Sequence, residues 1–337
     1  MTALIVERCG PSTTVQDNGR FGWQRFGLGP AGAMDRLALA EANLLVGNGA
    51  GDAAIELALV GAQMRVVGGS VRIARAGARC SLKIDGHAIA PLLSTVAHDG
   101  QAIEIDTAQG GIFIYLAVAG LTLEPQLGSV ATHVRSNIGG IDGRPLRAGD
   151  RLAAANASSN DDWSADARLA LDYAPGPIRV MLGPQDDYFS AEGLATFLGS
   201  AYTITPQSDR MGMRLTGPKI AHNAKGYNIV SDGIATGSIQ VPGMGEPLVL
   251  LADRQTTGGY PKIATVITAD LGRLAQMPPG SQISFAVVAR ADAVAAMRAQ
   301  QVRLATFASS VGPVAASDLS SERLLGLNLI EGGSIEA

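Results

Sequence analysis

Side chains able to do chemistry crowd into one stretch, Ser208 to Pro261. It carries two Asp-Arg dipeptides, Asp209-Arg210 and Asp253-Arg254, with Gln240 and Tyr260 set among glycines and prolines. Three of the four lysines, Lys219, Lys225 and Lys262, fall in or just beside it. An arginine fork suits a planar carboxylate or phosphate, which it grips with two parallel hydrogen bonds. Arg210, Arg214 and Arg254 are therefore the candidates for holding negative charge. Neighbours on a strand point to opposite faces, so each Asp is expected to find its partner elsewhere or to face solvent. The economical arrangement is crossed, Asp209 with Arg254 and Asp253 with Arg210; a purely structural ion-pair network is the alternative. Gln240 donates and accepts at once, which suits an amide, ureido or lactam edge, or else a turn backbone. Tyr260 either walls a pocket or packs on the domain face. Lys262 and Lys225 either hold a carboxylate or stay solvated.

The elements that must position these groups read mostly as strands. Short Val- and Ile-rich runs alternate with Gly and Pro turns, as in a sandwich or barrel. Examples are Met64–Val67, Val71–Arg75, Ser81–Ile84, Ile103–Asp106, Ile112–Val118, Ile178–Leu182 and Ser284–Val288. Four helices are expected: Ala33–Val46, stopped by Gly47-Asn48-Gly49; Ser190–Leu198, capped by Ser190; a short one from Ala269 within the ambiguous segment Gly258–Leu274; and Asp292–Phe307. Asp35 is expected in the first turn of the first of these, where negative charge suits the helix dipole. Asp17 and Arg20 flank the turn at Asn18-Gly19 as a structural clasp. The polar, aperiodic stretch Ala153–Ala167 marks a boundary. These readings divide the chain into a β domain at 1–160, a second at 168–310, and a tail at 311–337 whose apolar run is expected to dock on the body.

At 337 residues and 47% hydrophobic, the chain is long enough for two domains and a large core. Aromatic content is only 4%, so that core is mostly aliphatic. A net charge of -4 argues against a nucleic-acid partner. No segment approaches the roughly 20 apolar residues that cross a bilayer, and no basic-then-apolar leader opens the chain. A soluble cytoplasmic protein is expected. Cys9 and Cys80 do not make a disulfide framework and read as buried free thiols. A Walker loop, H-E-x-x-H and G-x-S-x-G are absent, and His87, His98, His133 and His222 are scattered, so no metal site is expected. A Met-Lys-Met biotin-acceptor pattern is absent too.

Several long motifs stand in order along the chain. They include T-T-V-Q-D at 13–17, G-A-M-D-R at 32–36, A-N-L-L-V-G-N at 42–48, G-G-I-D-G-R-P-L at 139–146 and G-P-Q at 183–185. S-D-R-M-G-M-R-L at 208–215, I-Q-V-P at 239–242, A-D-R-Q-T-T-G-G-Y-P at 252–261 and L-N-L-I at 327–330 complete the set. By these motifs the chain resembles the allophanate hydrolase subunit 2 family. That family covers the C-type 5-oxoprolinase proteins and the antagonist of a sporulation-kinase inhibitor. The chain is also similar to the carboxyltransferase domain of urea carboxylase.

The resemblance implies a mainly β protein of two cyclophilin-like β-barrel domains with a few short helices and a cleft between them. It implies ATP-dependent opening of 5-oxoproline to glutamate, with ATP as co-substrate at a site shared with a partner. The partners implied are the subunit 1 or B-type protein and the A-type lactam-utilisation subunit. On this reading Asp209, Arg210, Asp253 and Arg254 are the catalytic candidates, and Gln240, Arg214, Tyr260, Lys262 and Gln185 bind substrate. One alternative is a carboxyltransferase that takes carboxyl groups from biotin on another protein and acts on a urea-like or amide substrate. The other is a non-enzymatic regulator that binds the kinase-inhibitor partner. Thr-His at 132–133 departs from the Thr-Asp or Thr-Tyr expected there, so His133 is expected to be structural.

Overall fold

A computed structural model describes residues 2–157, 161–165 and 175–314. The protein is mainly β, as expected, with short helices. In the first half, Ala62–Val67 shows why strands form: Ala62, Met64 and Val66 are buried and the residues between them are half-exposed. That two-residue alternation is the signature of a sheet with one face on a core. The strand is flanked by Ala3–Cys9 and Ala102–Ile105 in a six-stranded sheet. A second sheet of seven strands centres on Gln109–Val118 and Val71–Arg79. Leu4, Val6, Ile55, Leu57, Met64, Ile73, Ile103, Ile114 and Leu116 form one aliphatic core shared by the two sheets.

The second half is an eight-stranded sheet. Its two edge strands, Gln282–Ile283 and Phe285–Val287, are separated by Ser284 alone, so the sheet curls until its edges nearly meet. Ile178–Leu182 pairs in parallel with Phe285–Val287 and antiparallel with Lys262–Val266. Phe197 and Phe285 stack inside at 4.7 Å, with the buried Tyr202 ring against both.

All four expected helices are present: α1 (Arg36–Leu45), α2 (Ala191–Gly199), α3 (Thr268–Ala275) and α4 (Arg290–Ser310). The Ser190 hydroxyl accepts from the Gly193 N–H at 3.0 Å and starts α2 as expected. α1 starts later than its sequence pattern suggests. Ala31 and Gly32 are both left-handed, at φ +52° and +85°, and the chain bends at Met34 and Asp35 before the helix begins. Asp35 is consequently the N-cap rather than a first-turn residue, accepting from the Ala38 N–H at 3.1 Å. The ambiguous segment resolves into the strand Lys262–Val266 followed by α3.

α1 joins the halves. It lies on Val71–Arg79 and Gln109–Val118 and also touches α3 and α4. Ala38, Leu39, Ala42 and Leu45 are fully buried in a second core that continues into Val180, Ile239 and Ile263 of the other half. Gln276, at the end of α3, reinforces the seam: its Oε1 accepts from the N–H of Ile112 and Phe113, both at 2.9 Å.

The expected clasp at Asn18-Gly19 forms, but Asp17 and Arg20 grip a third segment rather than each other. Asp17 accepts from Ser129 and Val130, and the buried Arg20 donates to the carbonyls of Gln126, Ser129 and Ala131. Cys9 and Cys80 are free thiols, half-buried rather than fully buried. No helix among the described residues is long and apolar enough to cross a membrane. The docked tail expected over 311–337 lies, beyond 314, outside the described residues, as does part of the boundary stretch 153–167.

Candidate functional site

The Arg210 guanidinium lies on the seam and uses all three nitrogens. Nε and Nη2 each donate to the Asp253 carboxylate at 2.8 Å. Nη1 donates to Glu56, and Nη2 also reaches the Gly32 carbonyl at 2.8 Å. Glu56 is fully buried in the strand Ala54–Ala58. Its other oxygen accepts from the Met34 N–H at 3.0 Å and the Tyr115 hydroxyl at 2.7 Å. Burial opposes the charge on Arg210, but Asp253 and Glu56 outweigh it and hold the guanidinium protonated. Burial first, then Glu56 and Asp35, pushes the Tyr115 phenol well above its ordinary range. Arg210 and Asp253 come from the second half, and Glu56, Gly32 and Tyr115 from the first. The network is a buried polar bolt with its lone pairs and protons matched.

One of the two expected crossed pairs therefore forms. The other does not. Asp209 is exposed, and its Oδ1 accepts from the N–H groups of Met211 at 2.8 Å and Gly212 at 3.1 Å. A short acidic side chain takes such local backbone donors in preference to a distant partner. This fixes the turn that presents Arg210 and leaves Arg254 without Asp209.

Arg254 is only 4% exposed. Its Nε donates to the Ile234 carbonyl at 3.1 Å, while its Nη1 has no partner among the described residues. Burial, and then the charge of Arg36, pulls its pKa down to about 10. His133 packs nearby. A Cβ built on Gly29 would come within 2.9 Å of the Arg254 carbonyl and 3.4 Å of the His133 Nε2, so only glycine fits between them. His133 is buried as a turn cap, its Nδ1 accepting from the Ser136 N–H at 3.2 Å. Its Nε2 has no partner among the described residues.

A second group gathers beside Ile234. The Lys262 side chain is 3% exposed and donates to Asp232 at 2.9 Å. The Gln185 Nε2 reaches the same Asp232 oxygen at 3.3 Å, and its Oε1 accepts from the Lys262 N–H at 3.3 Å. Lys262, and then the Gly233 N–H, holds the Asp232 carboxyl below the usual carboxylate range. Gln240 pairs in register with Lys262 and is buried; its Nε2 donates to the Tyr260 carbonyl at 3.4 Å. A Cβ on Gly258 would lie 2.5 Å from that Nε2, so Gly258 makes room for the amide. The Tyr260 ring is 41% exposed at the rim. Gln185, Gln240, Tyr260 and Lys262 thus come together, with Arg254 linked to them through Ile234. Arg214 stands apart, exposed on the strand Gly212–Thr216. Lys225 is an exposed partner of Asp187.

Sequence reasoning missed Glu56, Tyr115 and Asp232. Glu56 and Tyr115 sit in apolar strands with no local mark of their role. Arg36 had a signal, since Asp35-Arg36 is a further Asp-Arg dipeptide within G-A-M-D-R.

A two-half β scaffold bolted by Arg210, with buried cations and amides along its seam, is a binding framework for a small polar molecule. The family described as "Carboxyltransferase domain, subdomain A and B" matches residues 26–287, and the chain belongs to it. Within that family it is 38% identical to the C-type subunit of 5-oxoprolinase from Escherichia coli over 301 residues, 88% of this chain and 95% of that protein. It is also 38% identical to the C-type subunit of 5-oxoprolinase from Haemophilus influenzae over 296 residues, 86% of this chain and 93% of that protein. Among solved structures, the K. lactis urea amidolyase superposes with a TM-score of 0.83 at 26% identity. That match covers 95% of this chain but only 20% of the larger protein.

Proposed function

We propose that this chain is the C-type subunit of an ATP-dependent 5-oxoprolinase that opens 5-oxo-L-proline to L-glutamate. Its partners on this reading are a B-type (subunit 1) protein and an A-type lactam-utilisation subunit, in the cytoplasm. The observation that carries the reading is the 38% identity to the E. coli protein, which extends over 95% of that protein.

A lactam amide is a poor electrophile. In the proposed reaction ATP phosphorylates its oxygen and leaves as ADP. Water adds to the activated carbon, and the C–N bond breaks with a proton going to nitrogen. A second water then releases phosphate from the acyl phosphate to leave glutamate. Such a sequence needs fixed positive charge where oxyanions develop and an amide that reads the lactam edge. Arg254, buried with an Nη1 that has no partner among the described residues, supports the first role. Gln240, with Gln185, Tyr260 and Lys262 around it, supports the second. Arg210 and Asp253 act as positioning residues, since every nitrogen of the fork is engaged. Asp209 sets the turn that carries them, and the exposed Arg214 faces a partner. ATP binds at a site shared with the partner proteins.

A second reading, transfer of a carboxyl group from biotin on another protein, is favoured by the family's own description. One experiment separates the two. The chain is combined with its A-type and B-type partners, and ADP release is followed with 5-oxoproline. Release that depends on 5-oxoproline and on this chain supports the first reading. No such release, with carboxybiotin turnover in its place, supports the second.

A further inference from the structure

A cavity of about 420 Å³ opens on the seam, lined by residues other than Lys262 and Gln240. One wall is the 31–37 segment and the start of α1; the other is made by Leu251 and Ala252 with α3 and α4. The volume falls in the usual range of small-molecule pockets, about 300–1,000 Å³. Leu271 and Leu304 supply apolar surface, Asn18 and Thr236 supply polar groups, and Arg36 supplies a cation.

Arg36 makes no hydrogen bond or ion pair among the described residues; its guanidinium lies 5.3 Å from the centre of the Phe21 ring. The carboxylate in the cavity wall, Asp35, is already committed. Its Oδ1 caps α1, and its Oδ2 accepts from Gln276 at 2.9 Å. Asp35, Arg36 and Leu37 line the cavity, so the positive end of α1 opens into it. Arg254 does not line the cavity but lies close enough to Arg36 to feel its charge; it is more than nine-tenths buried, and its Nη1 has no partner among the described residues. The charge of Arg36 repels Arg254, and the Asp17 carboxylate acts on Arg36 without forming an ion pair with it. An anion placed between them removes that repulsion and takes the unused donors.

We propose that this cavity is a carboxylate pocket. Arg36 at the positive end of α1, backed by Arg254, seats the carboxylate of a small organic acid whose ring or chain lies against Leu271 and Leu304. The identity of that acid as 5-oxoproline rests on the function proposed above; the pocket itself does not.

The test is calorimetric titration of the purified chain and of the assembled complex. The probes are 5-oxoproline, its carboxylate-free analogue 2-pyrrolidinone, propionate and inorganic phosphate. The variants are Arg36→Ala and Arg36→Lys, each checked for folding by circular dichroism. The proposal expects 5-oxoproline to bind more tightly than 2-pyrrolidinone. It expects Arg36→Ala to weaken 5-oxoproline about tenfold to a hundredfold while leaving 2-pyrrolidinone unchanged, and Arg36→Lys to recover part of the loss. Arg36-dependent binding of propionate without binding of 5-oxoproline upholds the pocket and removes the 5-oxoprolinase reading. Unchanged 5-oxoproline affinity in folded Arg36→Ala overturns the pocket. So does phosphate binding more tightly than every carboxylate, or no binding of any probe to chain or complex.

Discussion

Arg210 and Asp253 meet twice. Their side chains form a two-pronged pair at 2.8 Å, and the Asp253 N–H donates to the Arg210 carbonyl at 2.9 Å. The backbone contact fixes the loops, and the side-chain pair then has one geometry in which Glu56 is also satisfied. Removing Arg210 strands two buried carboxylates. Arg210→Ala is expected to lower stability by about 3–5 kcal/mol, read by urea denaturation with a two-state fit. A loss below about 1 kcal/mol, the size of a surface pair, contradicts a buried bolt.

Arg254 gives a pH dependence with a definite sign. Its native pKa is about 10, below the ordinary arginine value that the unfolded chain keeps. Between those values the unfolded chain binds the extra proton, so this residue's contribution to stability rises with pH across that window. Anion affinity moves the other way, because the cation is lost as pH rises through about 10. The expected result is weaker 5-oxoproline binding above pH 10 in the wild type. Arg254→Met should bind weakly throughout and lack that step. Equal pH profiles for the two proteins rule the role out.

Lys262 links site and scaffold. It is almost fully buried, yet its partner Asp232 is half-exposed on the loop that also contacts Gln185. Lys262→Met keeps the stem's volume and removes the charge, so the loop loses its tether while the strand Lys262–Val266 stays packed. The expected outcome is a KM for 5-oxoproline raised about tenfold with kcat changed less, as for a lost binding contact. Gln240→Leu, which removes both donor and acceptor, is expected to lower kcat/KM by about 10²-fold or more, since a site built for a polar edge is left unpaired. Near-normal kinetics for both variants would mean the chemistry lies elsewhere.

Gln276 offers a check on the seam. Its amide is fully used, accepting from Ile112 and Phe113 and donating to Asp35 and the Phe113 carbonyl. Gln276→Ala leaves those backbone groups unpaired and is expected to cost about 1–3 kcal/mol. A thermal melt that does not shift would show that the halves are held by packing alone.

The alternation and turn residues that define strands are local, so they were readable: Ile178–Leu182 runs over the expected residues, and Ser190 caps α2 as expected. Helix starts were less so, because the late start of α1 depends on the left-handed Gly32, which no periodicity reveals. For the site, Asp253 with Arg210 was suggested by the repeated order of the two dipeptides, although both lie in turns rather than on strands. Asp209 with Arg254 failed because an Asx turn beside Asp209 competes locally for its carboxylate. Glu56 lay beyond sequence reasoning, since its partner Arg210 is 154 residues away and the strand around it is apolar. Asp232 had the same difficulty with Lys262, a contact set by where the Asp232 segment lands beside the strand Lys262–Val266.

The most direct measurement is the stoichiometry of the assembled complex. Glutamate formed and ADP released from 5-oxoproline and ATP are counted together, with this chain present and with it left out. The account predicts one glutamate per ADP with the chain present and neither product above background without it. Equal yields without the chain, or ADP released without glutamate, would contradict it.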